Sequence, residues 1–376
     1  MPDRIVVIGG GIAGVSAAAF LAEGGANVTL VERESTLAYH TTGRSAAQWI
    51  VNYGHPATRN LAAASRWFFD NPPPGTADGP LLSERAVLMV SSDPTAEVDD
   101  QFASVDDNGP AMEPIGPSVA ASLCPLVDSD KTEIAVLDSG SMEIDVGALH
   151  QAFIRILRSA GGAVATATRV DAARPHGDRW RIDTTTGEVT ADIVVNATGA
   201  WGDMVAESAG VAPLGLQPRR RTAFMVPGSS LPDSDMGQSH SWPMLIDLAH
   251  QWYVKPDGSQ FLCSPADQTI SPAVDAKPEE VDIAIAIDRI NTDTRLEIRS
   301  VASKWAGLRT FAPDESLVLG PDPDTPRFVW CVGQGGVGIQ TSPAAGGLIA
   351  DLVLGRPPAP GTPLQDLLPD RLRPFD

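Results

Sequence analysis

The stretch Arg4–Gly14, which reads RIVVIGGGIAG, decides the fold of this chain. Four of its first five residues, Ile5–Ile8, are apolar and β-branched, and the glycines that follow at once have G-x-G-x-x-G spacing. An alanine-rich helical segment, Val15–Glu23, comes next, and a second apolar strand, Val28–Val31, ends in Glu32. Strand, glycine turn, helix, strand and acid in this order predict a dinucleotide-binding βαβ unit.

Each glycine of the motif has its own role in such a unit. Gly9 permits the tight turn, Gly11 lets the backbone approach a pyrophosphate, and Gly14 lets the helix pack closely on the strand. The helix N-terminus offers amide donors and a partial positive charge to phosphates. Glu32 is placed to accept hydrogen bonds from ribose hydroxyls, so we expect an adenine dinucleotide here.

Composition and charge exclude several classes of protein. The chain has 376 residues, enough for two domains, with 27 basic and 47 acidic residues and a formal net charge of −20. A nucleic-acid surface or an anionic-lipid anchor is therefore not expected. Cys124, Cys263 and Cys331 lack metal-site spacing, and their odd number argues against a disulfide framework. No signal peptide or membrane-length apolar run is evident, so we expect a cytoplasmic monomer without a metal site.

Local patterns divide the chain into alternating segments. We expect helices over residues 56–70, 149–160, 278–290 and 342–354, strands over 88–90, 164–170, 180–184, 193–196, 222–226, 252–255, 261–264 and 328–332, and loops with short helices over 91–117. Glycine motifs near both ends suggest a cofactor domain made of residues 1–80, 141–218 and 306–376. Residues 81–140 and 219–305 would form an inserted substrate domain with an antiparallel sheet.

Three further segments favour a flavin over a nicotinamide as the bound dinucleotide. Residues 40–47, HTTGRSAA, place small and hydroxyl side chains where a chain passes a large planar ligand, and residues 196–201, NATGAW, end a strand in small residues. The loop at 333–338, GQGGVG, opens a C-terminal helix. A helix N-terminus aimed at a flavin pyrimidine ring stabilises the negative charge that develops there on reduction, by roughly 0.3–2 kcal/mol.

With these segments the chain resembles the D-amino-acid oxidase superfamily of FAD enzymes, which includes the glycine and sarcosine oxidases. Within that superfamily the resemblance is strongest to the bacterial FAD-dependent D-arginine dehydrogenases, and it extends nearly from end to end. It rests on Tyr39-His40 with residues 42–47 (TGRSAA), and on residues 69–73 (FDNPP), 213–218 (PLGLQP), 305–309 (WAGLR) and 338–342 (GIQTS). The resemblance implies an α/β fold, with a Rossmann-like FAD-binding domain and an inserted antiparallel-sheet α+β substrate domain.

The resemblance also assigns roles to individual residues. Arg221 and Arg309 would bind the substrate carboxylate, and two guanidinium groups on one carboxylate would give charge-assisted, oriented hydrogen bonds. Tyr53 and Tyr253, two of the three tyrosines, would point to the carboxylate or the amine, and Gly336 and Gln340 would meet flavin and amine. Non-covalently bound FAD would contact Gly9, Gly11, Ile12, Ala13, Gly14, Glu32, Arg33, Thr42, Gly43, Arg44, Ser45, Ala47, Val170, Gly199, Trp201, Gly307, Gly336, Gly338, Ile339, Gln340 and Thr341.

One departure from the D-arginine enzymes bears on the substrate. In those enzymes an acidic residue after a Leu-Leu-Ser-x-Arg segment pairs with the substrate guanidinium, and here Val87 stands in its place, while Gln48 replaces a histidine. Removal of a buried counter-charge penalises a cationic side chain by several kcal/mol. We therefore expect a neutral, apolar substrate side chain, with Ile50, Val87, Met244 and Ile246 lining the pocket beside Gln48.

The resulting expectation is oxidative deamination of a neutral D-amino acid. Hydride transfer from Cα to flavin N5 would give an imino acid, which hydrolyses to a 2-oxo acid and ammonia. Oxidation of a secondary amine or of a 2-hydroxy acid on the same scaffold stays open, as do a flavin-binding subunit that serves a catalytic partner and a nicotinamide-dependent reductase. The electron acceptor is left open among a quinone, another carrier and O2.

Overall fold

A computed structural model describes residues 3–98, 112–232 and 236–373. Its helices are α1 (Ile12–Glu23), α2 (Pro56–Asp70), α3 (Pro117–Leu123), α4 (Val146–Ser159), α5 (Gly202–Ser208), α6 (Glu280–Asp293) and α7 (Gly338–Val353). Its strands are β1 (Arg4–Ile8), β2 (Asn27–Val31), β3 (Gln48–Trp49), β4 (Leu82–Glu84), β5 (Val87–Ser91), β6 (Glu113–Ile115), β7 (Ile134–Asp138), β8 (Met142–Ile144), β9 (Ala163–Ala165), β10 (Val170–His176), β11 (Arg179–Thr184), β12 (Gly187–Ala191), β13 (Ile193–Asn196), β14 (Gln217–Pro227), β15 (Met244–Asp247), β16 (Tyr253–Asp257), β17 (Gln260–Ser264), β18 (Thr269–Ile270), β19 (Ser303–Phe311), β20 (Val318–Pro321) and β21 (Phe328–Val332).

The first sheet has the order β20-β21-β13-β1-β2-β9, in which every pair except the antiparallel pair β20-β21 is parallel. Parallel strands buried on both faces read as continuous apolar runs, which explains the sequence of β1. On one face, α1 packs against α4 and α7, and the antiparallel sheet β10-β11-β12 lies on the other side of the strands. This is the Rossmann-like domain, and the mouth of its glycine turn lies at the carboxyl end of β1.

Small residues bring α1 and α7 into close contact. A Cβ built on Gly346 would lie 2.7 Å from the backbone carbon of Ser16, whereas a Cβ on the adjacent Gly347 would meet nothing within 4 Å. The two glycines therefore differ in purpose although they are neighbours on one helix. Gly346 permits the helix crossing, and Gly347 only lowers the helix propensity of α7.

We expect Gly346→Ala to lower the free energy of unfolding by about 1–3 kcal/mol, because the added methyl group forces the helices apart. Gly347→Ala should leave stability unchanged or raise it by up to about 1 kcal/mol through better helix propensity. Urea unfolding of the two variants side by side measures the difference. Equal effects at both positions would contradict the assignment of Gly346 to the helix crossing.

The second large sheet has the order β18-β14-β17-β16-β15-β5-β7-β6, and β19 pairs with β14. In the antiparallel register of β14 and β19, Arg219 lies opposite Arg309 and Arg221 lies opposite Gly307. Directly opposed residues point to the same face, so Arg219, Arg221 and Arg309 share one face of the sheet. A small sheet has the order β3-β8-β4, in which β3 and β4 both pair antiparallel with β8.

Most expected elements are present, with shifted ends. The helix expected over residues 342–354 begins earlier, at Gly338, and the strand expected over 164–170 is two strands, β9 and β10, separated by a turn with Ala167 at φ +51°. Within the stretch expected to be loops and short helices, residues 113–115 form a strand, and residues 99–111 lie outside the described part of the chain. The proposed domain boundaries at 219 and 306 fall inside β14 and β19, two strands of the large sheet.

Candidate active site

A cavity of about 730 Å³ extends from the glycine turn of β1 to the face of the large sheet that carries Arg221 and Arg309. Gly9, Glu32, Arg33 and Trp201 line its nucleotide end. Its other end, called the substrate end below, is lined by Gln48, Ile50, Tyr53, Arg221, Met244, Ile246, Ala249, His250, Tyr253, Ala266, Gln268, Arg309 and Thr310. The sequence-predicted arginines and tyrosines are thus brought together by the tertiary structure.

Two glycines of the turn, Gly9 and Gly14, are packed too tightly for side chains. Gly9 has φ +111°, and a Cβ there would lie 2.4 Å from the carbonyl oxygen of Ala197 on the neighbouring strand end. A Cβ on Gly14 would lie 1.8 Å from the carbonyl oxygen of Gly9. The first helical turn of α1 therefore packs directly against the glycine turn, and the N-terminus of α1 faces the cavity, as a phosphate site requires.

Glu32 organises the nucleotide end. Its Oε2 accepts a 2.6 Å hydrogen bond from the Gly10 N–H, and its Oε1 accepts a 2.8 Å bond from the Glu34 N–H. The carboxylate also lines the cavity, which is compatible with the expected contact to ribose hydroxyls. Beside it the Arg33 guanidinium lies 4.3 Å from the centre of the Trp201 ring, a cation–π pair at the cavity wall.

The segment 41–47 forms the middle of the cavity wall. Thr42 Oγ1 accepts a 3.0 Å hydrogen bond from the Ile12 N–H at the start of α1. Arg44 donates to the Ala306 carbonyl at 2.7 Å and to Asp275 Oδ1 at 2.8 Å, so much of its hydrogen-bonding capacity is used within the protein. Its position on the wall fits the predicted neighbourhood of the cofactor, while its main partners join this segment to the large sheet.

Arg221 and Arg309 form the charged group of the substrate end. Burial and the nearby positive charge of Arg309 lower the pKa of Arg221 to about 10, and the neighbouring Tyr253 and Tyr53 act in the opposite direction. The Arg221 Nε–H donates a 2.8 Å hydrogen bond to the carbonyl oxygen of Asp267. Within residues 3–98, 112–232 and 236–373 neither guanidinium forms an ion pair with a carboxylate. Two adjacent cations in one cavity are an arrangement that attracts an anion.

Arg220 lies between Arg219 and Arg221 in the sequence, and its side chain has a different role. Its guanidinium points to the opposite side of β14 and pairs with Asp282 Oδ2 at 2.7 Å and with Glu279. Arg219 pairs with Glu315 at 2.8 Å and lies over the Phe311 ring. Strand alternation therefore separates Arg220 from Arg219 and Arg221, and the ion pair with Glu315 distinguishes Arg219 from Arg221 on their shared face.

Gly336 supports Arg309 by its lack of a side chain. A Cβ built on Gly336 would lie 2.8 Å from Arg309 Nη1 and 2.9 Å from Cζ. The loop therefore lies directly against the guanidinium, and any larger residue would push it aside. Gly338, Ile339 and Gln340 continue the same wall as the first residues of α7, whose N-terminus has no side-chain cap.

Polar side chains surround the arginines. Gln340 Oε1 accepts a 2.7 Å hydrogen bond from the Ile50 N–H, and its buried Nε2 has no partner among the described residues. Gln48 donates weakly to the Arg85 carbonyl at 3.4 Å, and its Oε1 is likewise buried without a described partner. Tyr253 is 6% exposed and lies opposite Ile246 in the β15-β16 pair. Apolar wall and polar groups thus alternate around the substrate end.

A largely buried ion network involves Lys255 of β16, the strand that carries Tyr253. Lys255 Nζ lies 2.5 Å from Glu143 Oε1, and Arg85 Nη2 lies 2.9 Å from Glu143 Oε2. Although burial opposes it, the positive charges of Lys255 and Arg85 lower the pKa of the Glu143 carboxyl. Lys255, two residues from Tyr253, is therefore committed to a structural ion pair.

Four of the predicted site residues do not line the cavity. Val87 is fully buried opposite Met244 and Asp138, packed in the apolar cluster behind Ile50. Val87 is not part of the cavity lining, because β5 lies one strand further along the sheet than β15, whose Met244 and Ile246 line the cavity. The others are Gly14, Gly43 and Thr341: Gly14 packs on Gly9, a Cβ on Gly43 would lie 2.5 Å from the Ala38 carbonyl oxygen, and Thr341 bonds back to Val337 within α7.

The sequence did not identify two histidines of the cavity, one of which lies in a turn. His40 and His250 line the cavity, although scattered histidines are usually surface residues. His40 Nε2 lies 3.0 Å from Glu34 Oε1, and His250 occupies a turn with φ +53°. His40 stands in a segment that carried the family resemblance, which is a usable signal, whereas no local pattern marks His250.

All three cysteines are buried. Cys331 is buried under α1, and burial raises the pKa of its thiol to about 12, as for a structural cysteine. In the part of the chain that the structure describes, no cluster of metal-ligating side chains occurs. No helix among the described residues is long and apolar enough to cross a membrane.

Comparison with known proteins identifies the family. The family described as FAD dependent oxidoreductase matches residues 4–352, nearly the whole chain. The chain belongs to this family. Its cofactor is FAD, and it is an oxidoreductase. The finer resemblance to D-arginine dehydrogenases stays a prediction.

The relatives agree with this assignment over most of the chain. FAD-dependent oxidoreductase domain-containing protein 1 of Bos taurus is 25% identical over 94% of this chain and 82% of its own length. Mitochondrial dimethylglycine dehydrogenase of Mus musculus is 23% identical over 94% of this chain, which spans only 42% of that longer protein. The L-proline dehydrogenase structure from P. horikoshii has the same fold, with a TM-score of 0.81, 21% identity, and 99% and 98% of the two chains covered.

The cavity fits FAD in its chemistry and its close contacts. A Cβ added at Gly11, beside the N-terminus of α1, would meet only Thr42 Oγ1, at 3.3 Å, so the missing side chain leaves room for a pyrophosphate, and Glu32 stands where a ribose is expected. The N-termini of α1 and α7, both without side-chain caps, open into the same cavity. One suits the pyrophosphate, and the other suits the pyrimidine edge of an isoalloxazine ring.

Proposed function

We propose that this protein oxidises the Cα–N bond of a neutral amino acid, a D-amino acid with an apolar side chain. The observation that carries the proposal is the pair Arg221 and Arg309, two guanidinium groups in the substrate end without a described carboxylate partner. A carboxylate held by both would neutralise the charge that they place in the cavity. Bidentate binding would also fix its orientation.

The chain's own residues would bind and orient the substrate. Arg221 and Arg309 would hold its carboxylate. Tyr253 and Tyr53 lie close enough to Arg221 to raise its pKa against the opposing effect of burial. With the carboxylate fixed, Cα would be directed toward the cofactor, a positioning effect that accounts for much of the catalysis in such reactions. FAD, when bound, supplies hydride acceptance at its isoalloxazine ring.

The walls of the substrate end favour a neutral side chain. Ile50, Met244 and Ile246 supply apolar surface. The acidic residues among the described lining of the whole cavity, Glu32 and Asp171, belong to the nucleotide end. A cationic side chain would therefore enter a region that already carries two positive charges, which disfavours D-arginine as a substrate.

Oxidation of a secondary or tertiary amine is the second candidate. Two of the similar proteins are named for such substrates, the dimethylglycine dehydrogenase of mouse and the L-proline dehydrogenase of P. horikoshii. The same carboxylate clamp would serve N-methyl and cyclic amino acids. The geometry of the arginines does not depend on how the amine is substituted.

Anaerobic bleaching of the flavin absorbance tests both candidates. We expect rapid bleaching by D-leucine, D-methionine or D-valine, slow or no bleaching by D-arginine, and recovery in air only if O2 is the acceptor. Bleaching confined to sarcosine, dimethylglycine or proline would replace the first candidate with the second. Bleaching by D-arginine as fast as by D-leucine would contradict the side-chain argument.

A further inference from the structure

The strand line that pairs with β14 on one side, formed by β17 and β18, is interrupted beside Arg221. β17 ends at Ser264 and β18 begins at Thr269, so residues 265–268 leave the hydrogen-bond ladder of the sheet. Ala266 in this segment has φ +51°, which is unusual for a residue with a side chain, and it lines the cavity together with Gln268. The segment thus departs from the sheet at the substrate end.

Side chains of Asp267 in this segment and of Ser264 at the end of β17 replace the missing ladder. The Thr222 N–H donates a 2.6 Å hydrogen bond to Asp267 Oδ1, and the Thr222 carbonyl oxygen accepts a 2.6 Å bond from Ser264 Oγ. Thr222 Oγ1 donates to Asp267 Oδ2 at 3.0 Å. The Asp267 side chain is 8% exposed, so these bonds are largely protected from water.

Asp267 also contacts Arg221, which with Arg309 forms the proposed carboxylate clamp. With its carboxylate on Thr222, Asp267 presents its carbonyl oxygen to Arg221 Nε at 2.8 Å. Nε is the one donor of a guanidinium that lies off the Nη1–Nη2 edge. Its engagement fixes the plane of the group and leaves that edge for a ligand.

We propose that Asp267 is a positioning residue for the carboxylate clamp, which acts by anchoring the broken strand to Thr222 and thereby directing Arg221 into the cavity. This inference rests on the proposed function, because it takes a carboxylate as the ligand of Arg221. The neighbouring Arg220 does not explain Asp267 by itself. Arg220 lies 3.4 Å from Asp267 Oδ2, and it has a closer partner in Asp282 at 2.7 Å.

Ligand binding to the FAD-loaded protein tests the proposal without turnover. The probes are benzoate, a carboxylate with no oxidisable Cα–N bond, and benzamide, its neutral counterpart, each titrated by the change in the flavin spectrum. The variants are Asp267→Ala, Asp267→Asn and Thr222→Val, with Asp282→Asn as a matched loss of one negative charge on the outer side of Arg220. Steady-state KM and kcat are measured with the best substrate of the bleaching panel.

Asp267→Ala should raise the Kd of benzoate and the substrate KM about tenfold, and it should change the Kd of benzamide and kcat less than about threefold. Asp267→Asn keeps an oxygen for the Thr222 N–H and should have a smaller effect. Asp282→Asn should have none. If Asp267→Ala does not fold, Thr222→Val still applies, with an expected rise of about threefold in the Kd of benzoate.

Two results would overturn the proposal. Equal weakening of benzoate and benzamide binding would show that Asp267 has only a general structural role. An unchanged Kd of benzoate in Asp267→Ala, or in Thr222→Val if only that variant folds, would show that Asp267 has no role in the carboxylate clamp. Arg221→Met separates this failure from failure of the proposed function. If Arg221→Met weakens benzoate and Asp267→Ala does not, only the positioning role is lost. If Arg221→Met has no effect either, the clamp itself is wrong.

Discussion

Replacement of Arg309 by methionine should raise the substrate KM by about 100-fold or more, which corresponds to about 3 kcal/mol of lost carboxylate binding. Methionine keeps much of the apolar stem and removes the charged fork. The same substitution at Arg221 should have a similar effect, because both guanidinium groups line one end of the cavity and no described carboxylate pairs with either. Kinetics with the best amino acid of the bleaching panel measure the change.

The effect should depend on the substrate carboxylate. A substrate analogue in which an amide replaces the carboxylate should distinguish wild type and Arg309→Met by less than about threefold, since the lost interaction is ionic. Lys304→Met is the matched control, because it removes one positive charge from the exposed end of the same strand. A KM within twofold of wild type for both Arg221→Met and Arg309→Met would show that the clamp does not exist.

The second large effect is expected at the glycine turn. Gly14→Ala should lower the affinity for FAD by about 100-fold or more, so that the purified protein loses its visible flavin absorbance on dialysis. The added Cβ would stand 1.8 Å from the Gly9 carbonyl oxygen, and relief of that clash moves α1 away from β1. The N-terminus that faces the pyrophosphate moves with the helix.

Gly347→Ala supplies the control for this experiment, since its Cβ would meet nothing within 4 Å. Both variants add one methyl group to a helix of the same domain, so a general effect of the substitution would appear in both. The measurement is FAD content after dialysis, followed by titration of the apoprotein with FAD. Retention of FAD by Gly14→Ala at the wild-type level would refute the assigned role of this glycine.

The amino-acid sequence by itself determined the nucleotide-binding half of the fold. A β-branched run, a glycine motif, a helix and an acid follow one another within the first 32 residues, and every contact among them is local. Such short-range patterns constrain φ, packing and helix direction directly, which is why β1, α1 and β2 could be predicted from their residues. The expected helix over residues 56–70 and the strands at 193–196 and 328–332 were likewise found with the same ends.

The family resemblance named residues of the substrate end, but only the tertiary structure brings them together. Arg221 and Arg309 are 88 positions apart by their numbers, and only the antiparallel register of β14 with β19 places them on one face. Val87 and Asp267 both show that local sequence does not identify the residues of the substrate end. Val87 matches the position of a pocket residue but lies on β5, one strand beyond β15 and outside the cavity lining, and Asp267 carries no motif but accepts a hydrogen bond from Arg221. Contacts made across a sheet depend on strand order and register, and no local pattern of residues records either one.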